Sequence, residues 1–240
     1  MPERSRRYQE IVKLVDHDRK YTTEEAIRLL KETARAKFDQ TIEVHFRLGI
    51  DPRHADQQVR ASASLPAGSG KQLRILVFAQ GDGDRAARDA GADVVGADDL
   101  IKQVEGGWLE FDVALATPDM MGKVGRLGRV LGRRGLMPNP RSGTIAPPED
   151  LPRVINEVRG GRVDYRNDRQ GNLHMAIGKT SFDEAKIRQN LLSVIDSVNR
   201  AKPTGAKGTY IKTIALTSTM GPSMRLDPSV AVAEAGGAAA

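Results

Sequence analysis

The chain has 240 residues, with 37 Lys and Arg against 31 Asp and Glu and a formal net charge of +6. It contains no Cys, which excludes a disulfide framework, a thiolate zinc site and a cysteine nucleophile, and points to a reducing compartment of the cytosolic type. No apolar run approaches the ~18 residues of a membrane span, and 28% charged with 39% hydrophobic residues is the balance of a folded soluble chain.

The N-terminus opens with Tyr8, Ile11, Val12 and Val15 at helical spacing. A second helix follows. Thr22 with Glu25 three residues on has the form of a capping box, ahead of the apolar stripe Ala26, Ile27, Leu30 and Ala34. From Thr41 the period changes to two, because Ile42, Val44, Phe46, Leu48 and Ile50 alternate with Glu43, His45, Arg47 and Gly49. That is a strand with one polar face. Val59, Ala61, Ala63 and Leu65 predict another.

Pro66-Ala67-Gly68-Ser69-Gly70 breaks the pattern, and Leu73 to Ala79 is then nearly all apolar, the mark of a strand covered on both faces. Helical segments around 84–90 and 98–105 interleave with short strands at 93–95 and 111–116, which predicts an α/β unit with a parallel sheet. Its last helix should run from Pro148 to about Arg159. Gly160-Gly161 is a second break. Beyond it, strands at Arg162 to Asp168 and Leu173 to Gly178 flank Arg169-Gln170-Gly171-Asn172, read as a hairpin turn. Ser181 with Glu184 predicts another capping box and a helix carrying Ile187, Leu191, Val194, Ile195 and Val198. Thr209 to Thr219 alternates again, and residues 229–240 are so small and so terminal that a disordered tail is expected.

The economical arrangement is an α+β base domain split between 1–67 and 159–228, with a Rossmann-like α/β domain, 68–158, inserted through two glycine-bearing crossings that could hinge. Charge divides the same way. Basic and acidic residues number 13 and 11 over 1–67, 12 and 13 over 68–158, and 12 and 6 over 159–228, so the outer stretches carry +8 and the middle −1. An anionic partner for the base domain follows.

The densest chemical signal is Met121 to Pro140, glycine-rich at 122, 125, 128, 132 and 135, within the acid-free stretch between Asp119 and Glu149 that carries Lys123, Arg126, Arg129, Arg133, Arg134 and Arg141. Glycine lets backbone amides approach phosphates and arginine supplies forked donors, although a solvated charged helix gives the same pattern. Gly178-Lys179-Thr180 resembles the end of a phosphate-cradling loop, but Leu173 stands where that loop needs Gly; Gly81-Asp82-Gly83 lacks the third glycine of a dinucleotide fingerprint. A nucleotide-binding enzyme using the α/β insert is therefore the alternative reading. His17, His45, His54 and His174 have no metal-ligand spacing, and neither a metal, a cofactor nor a catalytic set is expected. Glu43 shares a strand face with His45 and Arg47 and lies near Lys37 and Phe38, where it could accept hydrogen bonds from ribose or bases. Thr217-Ser-Thr-Met-Gly-Pro-Ser223 offers hydroxyls, a methionine and close approach to RNA.

Ala36-Lys-Phe-Asp-Gln-Thr-Ile-Glu-Val-His45, Leu48-Gly-Ile-Asp-Pro52, Ala116-Thr-Pro-Asp119, Gly135-Leu-Met-Pro-Asn-Pro140, Tyr165-Arg-Asn-Asp168 and Ser218-Thr-Met-Gly-Pro-Ser223, in that order, resemble the family of the protein numbered one of the bacterial large ribosomal subunit. That family forms the mobile stalk beside the tRNA exit site. The resemblance implies the split base and Rossmann-like insert, a place in the cytoplasmic ribosome, and direct binding of large-subunit ribosomal RNA. In that family the contact surface uses residues matching Phe38, Glu43, Thr219, Met220 and Gly221, with Lys37, Thr41 and Arg166 nearby; the reading of the residues themselves adds Thr217 and Ser218, and secondary RNA or tRNA contacts at Lys123, Arg126, Arg129, Arg133 and Arg134. It further implies aid to release of exit-site tRNA, and repression of translation of its own operon mRNA. The Arg133-Arg134 pair, where relatives often have Pro, and the Ala-rich tail depart from the pattern.

Overall fold

The computed structural model describes residues 5–238. The chain divides into two compact units, one made of residues 1–70 with 160–240 and the other of 71–159. The first holds 24 basic and 18 acidic residues and the second 13 of each, so the whole net charge of +6 belongs to the first.

In the first unit α1 (Arg6–Val12) and α2 (Thr23–Thr33) lead into β1 (Thr41–Leu48). The capping box at α2 is formed: the Thr22 hydroxyl accepts from the Glu25 amide while the Glu25 carboxylate accepts from the Thr22 amide. β1 buries Ile42, Val44, Phe46 and Leu48 and turns the intervening residues outward, as its period of two requires. Next comes β2 (Arg60–Ser64), and after the second unit β6 (Arg162–Arg166), β7 (Asn172–Lys179), α8 (Glu184–Arg200), β8 (Ile211–Ser218), β9 (Met224–Leu226) and α9 (Pro228–Ala238) complete the unit. One antiparallel sheet has the order β7-β1-β8-β9; β2 and β6 form a separate antiparallel pair. α2, α8 and α9 lie on one side of the larger sheet and enclose a single core with its inward residues. The other side stays open.

In the second unit β3 (Ile75–Phe78), β4 (Val94–Gly96) and β5 (Val113–Ala116) form a parallel sheet in the order β4-β3-β5. Ile75 and Val77 face a core with α3 (Asp82–Asp89) and α7 (Leu151–Arg159). Leu76 and Phe78 face another, shared with α4 (Asp98–Glu105), α5 (Met121–Val124) and α6 (Gly128–Arg134). Two faces, two cores: the continuous apolar run of β3 has that cause.

Three local expectations are corrected. Residues 229–238 are not disordered but belong to α9, because Ala231 and Ala235, one turn apart, let the helix close against α8, while the Asp227 carboxylate accepts from the Ser229 amide at its start. Small side chains there permit packing instead of preventing it; residues 239–240 lie outside the described residues. The segments flanking Gly171 do not form a hairpin ladder, since β6 pairs with β2 and β7 with β1. The turn itself is tight, with the Asp168 carboxylate accepting from the amides of Gln170 and Asn172. The N-cap position of α8 is held by Asp183, which makes no side-chain capping hydrogen bond, and not by Ser181, whose hydroxyl donates instead to Asp39.

The glycine stretches at the unit boundaries touch within the first unit. Gly161 has φ of 104°, and a Cβ there would lie 2.7 Å from the Gly68 Cα, so only glycine fits. Asn190, fully buried on α8, completes this region: its side chain accepts from the Ala67 amide and donates to the carbonyls of Gly68 and Ile177.

Candidate nucleic-acid interface

The start of β1 and the end of β8 are neighbours, since Ile42 pairs with Ser218 and Glu43 with Thr217. This register brings residues 37–43 and 217–221 to one end of the sheet. Gln40, 1% exposed, is the centre of that end. Its side-chain oxygen accepts from the Met220 amide at 3.0 Å, its own amide donates to the Thr180 hydroxyl at 3.1 Å, and its carbonyl accepts from the Thr180 amide at 2.9 Å. Thr41 and Thr219 are joined three times: the Thr219 hydroxyl accepts from the Thr41 amide at 3.1 Å and donates to the Thr41 carbonyl at 3.2 Å, and the Thr219 amide donates to the same carbonyl at 3.1 Å. Lys179 donates to the Thr41 hydroxyl at 2.9 Å. Asp39 accepts from Thr180, from the Ser181 amide and from the Ser181 hydroxyl. Desolvation pushes its carboxyl up, but these hydrogen bonds and Lys179 together hold it below the usual carboxylate range.

Backbone this well tied presents two apolar side chains to solvent. Phe38 is 54% and Met220 49% exposed, two of only four large hydrophobics exposed among the described residues. The hydroxyl of Thr217 donates to the carbonyls of Ser218 and Pro222, which fixes the turn carrying Met220. Gly221 leaves no room for a side chain, because a Cβ would run into the Ser218 hydroxyl. Lys37, Phe38, Thr41, Glu43, Thr217, Thr219, Met220 and Gly221 are thus gathered at one sheet end. Ser218 is corrected: β8 alternation turns it inward, 2% exposed, so its side chain offers nothing to a partner. Arg166 is exposed but stands in the two-stranded sheet opposite Arg60, and no side-chain hydrogen bond ties it to the Gln40 cluster among the described residues.

Sequence spacing concealed one contact. His45 and His174 pair across β1 and β7, with their Nδ1 atoms 2.8 Å apart. Each Nε2 faces a carboxylate, Glu43 for His45 at 3.8 Å and Asp168 for His174 at 3.7 Å. Burial, then the charge of His174, pushes His45 below its ordinary value against the opposing pull of Glu43. Only strand register could have revealed it, and alternation alone does not fix register between distant strands. Among the described residues no group of three or more metal-ligating side chains gathers.

In the second unit the basic segment is α5, a short turn and α6, anchored inward by Val124, Leu127 and Leu131. Lys123 is ion-paired with Asp98 at 2.9 Å. Arg126, Arg129, Arg133 and Arg134 are exposed and without an ion pair among the described residues, and the glycines 122, 125, 128 and 132 between them have open space around them.

Fold and surface together define a class: a two-unit α/β protein whose first unit carries an open polar sheet end with Phe38 and Met220 exposed on it. Residues 30–222 match the model of the Ribosomal protein L1p/L10e family, and the chain belongs to that family, a structural one and not a family of enzymes. It is 56% identical over 232 residues to the large ribosomal subunit protein uL1 of Chloroflexus aurantiacus, covering 96% of this chain and 98% of that one. It is 53% identical over 236 residues to the uL1 protein of Thermomicrobium roseum, covering 98% of each. To that of Dehalococcoides mccartyi it is 54% identical over 238 residues, covering 99% of this chain and all of the other.

Proposed function

We propose that this chain is a structural protein of the large ribosomal subunit in the cytoplasm, that its split first unit is the base that binds large-subunit ribosomal RNA, and that the second is a Rossmann-like insert. The observation that carries the reading is that Phe38 and Met220 are both exposed at the sheet end where the buried Gln40 holds the Met220 backbone, in the unit with all the net charge. An exposed aromatic stacks on a base, methionine packs on a base or sugar, and Glu43 and Thr219 accept and donate to ribose hydroxyls and base edges. Family membership extends the proposal to release of tRNA from the exit site and to repression of the chain's own operon mRNA, through a messenger segment that offers the same surface as the ribosomal site. Chemical footprinting of purified large-subunit ribosomal RNA tests it: the chain should protect one discrete region, and Met220→Asp should need a higher protein concentration for the same protection. A folded chain that protects nothing contradicts the proposal.

The nucleotide-enzyme reading has no support. Lys179 and Thr180 are engaged with Thr41 and Asp39, and Gly83 packs against Ala79, Thr117 and Leu151. ATP or NAD should give no thermal shift.

A further inference from the structure

The open face of the four-stranded sheet continues from the Glu43–Thr217 pairing into a row that crosses all four strands: His174 on β7, His45 on β1, Ala215 on β8 and Arg225 on β9. Paired residues of adjacent strands share a face, and here that face is the outward one. Ala215 and, one pairing away, Ala176 and Thr213 keep the surface low, so a flat ligand could lie across it.

The charged groups facing the two histidines are Glu43 and Arg47 from β1, Asp168 from the turn before β7, and Arg225 from β9; Lys212 lies farther along, its stem against Gly49. Two acids balance two arginines. The sign of the face is therefore decided by the histidines. With an Nδ1–Nδ1 contact of 2.8 Å, only one proton fits between the rings. The neutral pair holds that proton between its Nδ1 atoms, and one Nε2–H faces its carboxylate. A further proton completes the chain carboxylate, imidazolium, imidazole, carboxylate, with an N–H facing each acid, and turns the face positive. Beyond that, one more proton sets N–H against N–H and opens the contact.

We propose that this row is a second RNA contact, a proton-dependent seat for a backbone phosphodiester beside Glu43 and Thr217, with His45 and His174 acting as one unit. The proposal rests on the RNA-binding reading above and adds to it a site and a pH dependence. Its partner chemistry is phosphate, since the row gains a positive charge with the proton beside the Arg225 guanidinium.

Fluorescence anisotropy with a labelled large-subunit ribosomal RNA fragment and the full chain tests it at constant salt. Kd should be roughly fivefold lower at pH 6 than at pH 8 as the pair takes up its proton. His174→Gln and His45→Gln should each reduce that ratio to about one. Imidazole NMR of the free protein should show two coupled steps in the wild type and a single uncoupled step in either variant. An undiminished pH ratio in both variants, or independent titration of the two rings, overturns the proposal. Absence of RNA binding at both pH values would instead count against the RNA-binding reading itself.

Discussion

The sheet end around Gln40 and the glycine-rich basic helices of the second unit both place small residues beside polar ones, but they are held in different ways. At the sheet end, Thr41, Thr219, Met220 and Thr180 are joined by backbone and buried side-chain hydrogen bonds, so Phe38 and Met220 project from a fixed frame. Along α5 and α6 the backbone is fixed by Val124, Leu127 and Leu131, yet the arginines at 126, 129, 133 and 134 end in solvent without an ion pair among the described residues. The lesson concerns specificity. A fixed array discriminates between ligands by shape, whereas mobile guanidinium groups attract any polyanion and lose strength as salt screens them.

The largest effect expected is on the first unit as a whole, through its glycine-bearing boundary. Asn190→Leu strands the Ala67 amide and two carbonyls, and should lower the unfolding free energy by about 3 kcal/mol in urea titrations; a loss below about 1 kcal/mol would mean that this boundary is held by other contacts. Met220→Asp should weaken binding of the ribosomal RNA fragment by about 1–3 kcal/mol with the fold intact by circular dichroism. Thr219→Val removes the hydroxyl that accepts from Thr41 and should cost about 1 kcal/mol of affinity. Replacing Arg129, Arg133 and Arg134 together by Gln should reduce the slope of log K against log salt by at most about 2–3, leaving discrimination between cognate and scrambled RNA unchanged. Loss of discrimination would break the comparison, because the helices would then be reading shape as well.

The smallest effect is on stability against pH. His45 resists protonation in the folded chain, so between its lowered folded value and the ordinary one near 6.5 the unfolded chain binds more protons. Stability should accordingly decline as pH falls through about 6.5 and level off below the folded value. His45→Gln should flatten that slope in thermal melts at constant ionic strength.

Amino-acid order alone determined the elements whose partner is solvent or a uniform core. The alternation of β1, the capping box at Thr22 and Glu25 and the doubly apolar β3 are legible because each depends on period or on neighbours within four residues. The candidate residues were legible too, as segments, through resemblance of short motifs. Tertiary structure decided what depended on distant partners: that Ser218 turns inward while Thr217 and Met220 do not, that Ser181 serves Asp39 instead of capping α8, that small alanines dock α9, and that His45 meets His174. The physical reason is common to all four. Strand register and helix docking are fixed by side chains far apart in sequence, and in the strands a shift of one residue would send Ser218 and His45 to the opposite face.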